Sequence, residues 1–388
     1  MEVMKKTFGV IGVVLVAVAI ISLSVNFGFA SQNGINGSNK TTVNKKFELP
    51  SRLHKDGEGF YEIGRMLTPR YKHSSILLQD GRVFIVGGRD KDDHILISTE
   101  IFDPKTGKSI NGPDMPYPAF ECSLKLLSNG NVLIVGGKYN SENRVSIYLH
   151  RKNKIIEVKE RLNSEIISNA IIEDISDEEV FIADVFDIFG NYSVYNNTTN
   201  KLFNVKEQKN GIFIDAYIGR INNNLYFLWG SNIIVVNIKN KGNFYNTYKK
   251  YKNEEYFSFR EPVGILLKNK KTIVIFHDVA ISLFNIETKT YSNAPRPLYI
   301  DGISDLFLLE NDNILIFRSY TGVNSQVLEF NPKTFNIKYK NYLTPNILAT
   351  VINLNDDELL YMGGANRNKY RWITNVSDKI YVWKKEKE

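Results

Sequence analysis

The sequence predicts an all-β protein folded as a seven-bladed β-propeller. Three observations predict this fold class. A motif recurs along the chain at intervals of 41 to 49 residues, each copy contains a turn rich in Asp, Asn and Gly, and aromatic residues make up 12% of the chain. Short strands that repeat at this period, separated by turn residues, are typical of propeller blades.

The recurring motif is clearest in its first two copies, LLQDGRVFIVGG (77–88) and LLSNGNVLIVGG (126–137). In each copy an apolar strand leads into a tight turn, such as Asp80-Gly81 or Asn129-Gly130, whose residues tolerate a positive φ. The second strand is a nearly unbroken apolar run, which indicates that both of its faces are covered. The second strands begin near Val83, Val132, Val180, Leu225, Ile273, Ile314 and Leu359.

A third and a fourth strand complete each copy, as in STEIFDPKTGK (98–108) and KSINGPDM (108–115). Four antiparallel strands cannot bury both faces of their sheet alone, but a radial arrangement lets each sheet cover its neighbour. The seventh copy stops after its third strand, KIYVWKKEKE (379–388), and GFYEIGRMLTPR (59–70) matches a fourth strand. We therefore expect the N-terminal strand to complete the last blade and close the propeller.

The first 30 residues have the pattern of an export signal. Lys5 and Lys6 precede a long uncharged apolar stretch, which predicts a hydrophobic helix that is either a signal peptide cleaved after Ala30 or a single membrane anchor. In both cases the rest of the chain is expected outside the cytoplasm, either secreted or attached to the cell membrane with its N-terminus inside. Residues 31–46 are polar and predict a flexible linker, and residues 47–388 form the propeller.

Charge and cysteine content exclude other classes of protein. The formal charge of +7 is spread over 388 residues with both signs interspersed, so no basic stripe predicts nucleic-acid binding. Cys122 is the one cysteine of the sequence, so the domain has no internal disulfide and depends on packing.

Several segments of the chain resemble kelch repeats, the propeller family that includes the central domain of galactose oxidase. The resemblance rests on PRYKHSS (69–75), DGRVFIVGG (80–88), STEIFDPKTGKSINGPDM (98–115) and VLIVGG (132–137). It covers residue 59 to the end and is clear in the first, second and last copies, whereas the middle copies lack the Gly-Gly pair. Such propellers serve mainly as binding platforms, and a minority are carbohydrate-active enzymes. The copper oxidases among them need a Tyr–Cys crosslink, whereas Cys122 lies in an apolar strand, so neither metal nor other cofactor is expected.

One face of the predicted propeller carries the candidate binding residues. The loops that follow each second strand and those that precede each first strand share this side, here called the loop face, and charged residues cluster in them. We predict a ligand-binding face composed of Arg70, Tyr71, Arg89, Glu121, Lys138, Asp215, Arg260, Glu261, His277, Asp278, Asp301 and Arg318.

These residues favour a non-catalytic module that binds a protein or a carbohydrate at the cell envelope. The alternative is a carbohydrate-active enzyme, similar to a sugar epimerase or mutarotase, that uses Glu121, Asp278 or Glu261 as an acid–base carboxylate with Arg residues nearby. A third alternative is a purely structural component of the envelope. The sequence leaves the choice open.

Overall fold

A computed structural model describes most of the propeller. The described residues are 54–55, 60–137, 143–162, 170–184, 191–206, 216–229, 232–238, 249–251, 262–277, 280–294, 300, 303–320, 323–343, 348–355, 358–367 and 373–384. The predicted N-terminal helix and the linker at 31–46 lie outside them. Within these ranges, no helix has both the length and the apolar character needed to cross a bilayer.

The described strands form seven antiparallel blades, each with four strands that follow one another in the sheet. The predicted all-β seven-bladed architecture is therefore confirmed. Blades 1 to 4 consist of Ser74–Leu77, Val83–Val86, Thr99–Asp103 and Lys108–Asn111; Ser123–Leu126, Val132–Val135, Val145–Leu149 and Lys154–Glu157; Ala170–Asp174, Glu179–Asp184, Asn191–Asn196 and Lys201–Lys206; and Ala216–Ile221, Asn224–Trp229, Asn232–Asn237 and Lys249–Tyr251. Blades 5 to 7 consist of Val263–Leu266, Thr272–Phe276, Ile281–Asn285 and Thr290–Asn293; Ile303–Leu308, Ile314–Tyr320, Val323–Asn331 and Asn336–Leu343; and Thr350–Asn355, Glu358–Met362, Lys379–Lys384 and Phe60–Arg65.

Blade 7 is closed by the N-terminal strand, as the sequence predicts. Phe60 lies opposite Trp383 and Arg65 lies opposite Lys379 in an antiparallel pair. The structure also adds elements that the repeat does not predict. They are a short fifth strand on this blade, His54–Lys55, a hairpin of Asn366–Arg367 with Ile373–Thr374, and a 3₁₀ turn at His150–Lys152.

The hydrophobic core is divided among the junctions between blades. Among the described residues, buried side chains form seven clusters, and each cluster joins two neighbouring blades, including blades 7 and 1. Every residue of the second strands Val83–Val86 and Val132–Val135 is buried, which confirms that these strands are covered on both faces. Because one of these clusters joins blade 7 to blade 1, the propeller is a closed ring of blades.

The Gly-Gly pairs lie where the chain entering the next blade comes closest. Gly87 has a φ of +57°, and a Cβ built on it would lie 2.0 Å from the carbonyl oxygen of Ala119. A Cβ on Gly363, in the equivalent pair of blade 7, would lie 2.6 Å from the carbonyl oxygen of Arg70. Both the backbone conformation and the lack of space therefore require glycine.

Candidate functional site

The structure describes half of the twelve predicted ligand-face residues. Arg70, Tyr71, Arg89, Glu121, His277 and Arg318 lie within the described part of the chain. The other six lie outside the described residues, and their role stays a prediction: Lys138, Asp215, Arg260, Glu261, Asp278 and Asp301.

Arg70 lies inside the protein, although the sequence suggests a residue of the loop face. Its residue surface is 0% exposed, and one of its Nη2 hydrogens is donated to Glu100 Oε1 at 2.6 Å. The other donors reach the Thr68, Gly87 and Ser98 carbonyl oxygens and the Ser98 hydroxyl. All five N–H groups of the guanidinium are thus used within the protein. Arg70 therefore stabilises the loops of blade 1 by hydrogen bonds on their buried side.

Tyr71, Arg89 and Glu121 lie in one group on the loop face, together with three side chains that are not among the predicted binding residues. The group, here called the charged aromatic cluster, consists of Tyr71, Lys72, Arg89, Asp93, Phe120 and Glu121. Two ion pairs run through it, Arg89 Nη1 to Asp93 Oδ2 at 3.0 Å and Lys72 Nζ to Glu121 Oε1 at 2.8 Å.

The Phe120 ring lies beneath both cations of this cluster. The Arg89 guanidinium carbon is 4.2 Å from the ring centroid and the Lys72 nitrogen is 5.7 Å from it. Cations at this distance from an aromatic face are attracted by its quadrupole. The Tyr71 hydroxyl donates to Asp93 Oδ1. Burial, followed by this hydrogen bond, raises the pKa of Tyr71, so the phenol stays protonated.

Backbone hydrogen bonds between blades hold the cluster in place. Lys72, Glu121 and Leu348 each stand two residues before the first strand of their blade, in left-handed conformations with φ of 54°, 54° and 57°. The Lys72 N–H donates to the Leu348 carbonyl at 3.1 Å, and the Glu121 N–H donates to the Lys72 carbonyl at 2.9 Å. This chain of bonds links blades 7, 1 and 2 and fixes the side chains relative to one another.

The repeat spacing contains a signal for the Lys72–Glu121 pair. The two residues are 49 positions apart, the same interval that separates Val83 from Val132. Residues at equivalent positions of consecutive blades are neighbours in a propeller. Opposite charges separated by one repeat therefore predict an ion pair between blades.

The middle blades carry polar or aromatic side chains where blades 7, 1 and 2 have the first glycine of the pair. This position holds Asp184, Trp229, His277 and Arg318 in blades 3, 4, 5 and 6. Trp229 is 38% exposed and the other three are buried. The His277 Nε2 lies 3.2 Å from the Ser282 hydroxyl. These four residues therefore lie in four different blades, and none of them belongs to the charged aromatic cluster.

His73 is a buried histidine beneath the loop face. It is 5% exposed, and neither ring nitrogen has a hydrogen-bond partner among the described residues. A Cβ on Gly88 or on Gly363 would lie within 3.0 Å of it, so the histidine packs against two Gly-Gly pairs. Burial, and secondly the positive charge of Arg70, lowers the pKa of His73 to about 3. The imidazole is therefore neutral at physiological pH.

We expect His73 to make the propeller sensitive to acid. Because its pKa is lower in the folded protein than the 6.5 of a free histidine, its contribution to stability is complete above pH 6.5 and is lost as the pH falls towards 3. Between pH 6 and pH 4, the unfolding free energy of the wild type should fall more steeply with falling pH than that of His73→Leu. The expected difference between the two slopes is about 1.4 kcal/mol per pH unit. Urea unfolding at several pH values measures this slope. The exposed residue His94 is the control, and a His73→Leu slope equal to that of His94→Gln would contradict the expectation.

The comparisons with known proteins agree with this architecture. A family model described as Kelch motif matches residues 70–116, which span blade 1 and the loops on either side of it. A fungal alcohol oxidase of the AA5 family, in complex with copper, has a similar structure, with a TM-score of 0.60, 11% identity, and coverage of 86% of this chain and 76% of the oxidase. A streptogramin B lyase is also similar, with a TM-score of 0.53, 15% identity, and coverage of 83% and 96%. No curated protein matches the sequence.

The chain is therefore a seven-bladed β-propeller that carries a Kelch motif in blade 1, and its fold is similar to that of the fungal alcohol oxidase. The resemblance seen in the sequence is confirmed at this level. The low identities to the solved structures support the fold alone, because propellers of one architecture carry unrelated activities.

Because the fungal oxidase is described in complex with copper, the surroundings of Cys122 indicate whether the described residues suit a metal site at this thiol. Cys122 is buried, and burial raises the pKa of its thiol to about 12, which disfavours the thiolate that binds metals. In the described part of the chain, the ligand atoms of His, Cys, Asp and Glu come together in one group, Asp90, Asp92 and His94. This group does not include Cys122, and Lys91 forms an ion pair with Asp92 at 2.6 Å. The residues described here do not fit a copper–thiolate centre.

Proposed function

We propose that this chain is a non-catalytic binding module that presents its loop face to a protein or glycan at the cell surface. The observation that supports the proposal is the charged aromatic cluster, which brings cations, carboxylates and aromatic rings together on one face. A kelch motif in the same blade also supports it, because kelch propellers serve mainly as binding platforms. The export signal suggested by residues 1–30 would place this face outside the cell.

The four charged side chains of the cluster are accessible to a partner, whereas Tyr71 and Phe120 are buried beneath them. The side chains of Lys72 and Glu121 are 27% and 26% exposed, and those of Arg89 and Asp93 are 23% and 66% exposed. Partly exposed ion pairs contribute little to stability, so their charges can pair with a partner instead. The backbone bonds between blades hold these groups before binding, which reduces the ordering entropy that association costs.

Glu121 is one of three carboxylates that the sequence suggests as an acid–base group. In the structure its Oε1 lies 2.8 Å from Lys72 Nζ, so its charge can take part in a charged binding surface. Its two alternatives, Asp278 and Glu261, lie outside the described residues. We therefore base the proposal on recognition and assign no reaction to Glu121.

The Arg89→Ala variant tests this proposal. It removes both the ion pair with Asp93 and the contact with Phe120, so we expect the affinity for a surface partner to fall at least about tenfold. The full chain, purified in mild detergent and immobilised, is exposed to glycan arrays and to envelope fractions of the producing cell. Protease and glycosidase treatment of the retained material then distinguishes a protein partner from a glycan.

Lys271→Ala is the matched control, because Lys271 is exposed in a turn between first and second strands, on the side opposite the loop face. Binding that is lost in Arg89→Ala and kept in Lys271→Ala supports the proposal. Binding that is equal in the wild type and in Arg89→Ala would show that the cluster is not the site.

A further inference from the structure

A second group of charged residues lies on the first strands of blades 2, 3 and 4, away from the charged aromatic cluster. The strand register gives each blade one residue at the same position of its first strand. In order from blade 1 these are Ile76, Lys125, Glu173, Gly219, Ile265, Phe307 and Ile352. Five of the seven are apolar or glycine, so the fold does not require charge here. The two charged residues at this position, Lys125 and Glu173, lie in adjacent blades.

Lys125 is buried with part of its hydrogen-bonding capacity unused. Its side chain is 2% exposed, and its Nζ lies 2.9 Å from Asp174 Oδ2 in blade 3. An ammonium carries three N–H donors, and this carboxylate oxygen is the one acceptor that the described residues place beside it. A buried ammonium destabilises a protein unless its donors are satisfied. The remaining N–H donors of Lys125 are therefore available for hydrogen bonds to further oxygen atoms.

Arg220 brings a second cation to the same place from blade 4. Its Nη1 donates to the Asp174 carbonyl and lies 3.9 Å from Glu173 Oε2. Its Nε donates to the Asn222 carbonyl, whereas Nη2 has no acceptor among the described residues. The side chain is 18% exposed, so this edge of the group is accessible to solvent.

The net charge of this group depends on whether Glu173 is protonated. It is 1% exposed and accepts a hydrogen bond from the Tyr217 hydroxyl at 2.6 Å. Burial raises the pKa of Glu173, although Lys125, the Tyr217 bond and Arg220 oppose this and Asp174 adds to it. When Glu173 is protonated, the group contains two cations, Lys125 and Arg220, and one carboxylate, that of Asp174, which pairs with Lys125.

We propose that Lys125 and Arg220 bind a small oxyanion, such as phosphate, sulfate or a carboxylate, on the inner strands of blades 2 to 4. The anion accepts hydrogen bonds from the unused donors of the Lys125 ammonium and from Arg220 Nη2, the two kinds of donor that usually hold oxyanions in proteins. The Asp174 side chain is 47% exposed and can turn to solvent as the anion enters. The site is separate from the loop face and does not depend on the function proposed for that face.

Calorimetric titration of the full chain with phosphate, sulfate and acetate tests this site. We expect at least one of the three anions to bind saturably and to raise the melting temperature. Binding should be tighter at pH 5.5 than at pH 7.5, because Glu173 takes up a proton more readily in the acid solution and its charge then no longer repels the anion. The Lys125→Met variant keeps the length of the side chain without its charge, and should bind the anion at least about tenfold more weakly.

Arg220→Gln and Lys201→Met complete the design. Arg220→Gln removes the second cation and should also weaken binding, so the test does not depend on one variant. Lys201 is exposed on the outer strand of blade 3, and Lys201→Met should bind as the wild type does. The proposal is overturned if none of the three anions saturates the wild type, or if Lys125→Met and Arg220→Gln both bind with wild-type affinity.

Discussion

Replacing Glu100 by Ala is expected to destabilise the propeller by about 3–5 kcal/mol, because it leaves Arg70 as a buried charge without its counterion. Arg70 is 0% exposed and Glu100 is 1% exposed, so water cannot compensate for the lost partner. Glu100 also accepts the backbone N–H groups of Leu67 and Thr68 at 2.7 and 3.0 Å. The substitution thus leaves three donor groups without an acceptor. Urea unfolding of the two proteins measures the difference.

An exposed ion pair provides the control for this prediction. Lys271 and Glu287 lie 2.9 Å apart with side chains that are 58% and 59% exposed. Glu287→Ala should change the unfolding free energy by no more than about 1 kcal/mol, since solvent screens such pairs. A similar small effect for Glu100→Ala would mean that Arg70 is reached by water and does not hold the loops of blade 1.

The architecture was predictable from the sequence because the information is local and repeated. Each second strand is apolar throughout, as at Val83–Val86, and turns such as Asp80-Gly81 separate it from the first strand. One such hairpin is ambiguous, but seven copies at a similar interval leave few arrangements that bury both faces. The incomplete seventh copy also predicted that the N-terminal strand completes the last blade, and the antiparallel pairing of Phe60–Arg65 with Lys379–Lys384 confirms this.

The positions of polar side chains were harder to predict, because burial depends on contacts between blades. Arg70 stands in a polar loop sequence, yet it is buried together with its ion-pair partner Glu100, which lies 30 residues further along the chain. Lys125 stands in a largely apolar strand, and its contact with Asp174 depends on the neighbouring blade. Both Lys72–Glu121 and Lys125–Asp174 are 49 positions apart. Comparing residues one repeat apart would have identified these pairs.

Closure of the ring depends on one pair of strands from distant parts of the sequence. Every other blade is made of consecutive strands, whereas blade 7 joins Phe60–Arg65 to Lys379–Lys384 from the opposite end of the sequence. Repeat proteins are held together by contacts between neighbouring units, so a weak junction can open before the others. Phe60 is 1% exposed and packs edge-on against Tyr361 with ring centroids 5.8 Å apart. The N-terminal strand is therefore the element on which closure depends most directly.

We expect Phe60→Ala to destabilise the protein by about 3–5 kcal/mol and to open the ring at blade 7 first. The loss combines the hydrophobic contact of the ring with the cavity left beside Tyr361. Urea unfolding gives the energy, and limited proteolysis followed by mass spectrometry locates the first cleavage, which should lie between residues 54 and 66. Phe203→Ala, at a 53% exposed residue of the outer strand of blade 3, is the matched control and should cost no more than about 0.5–1 kcal/mol. Equal losses in the two variants, or first cleavage of Phe60→Ala within blades 3 to 6, would show that the N-terminal strand does not control the stability of the ring.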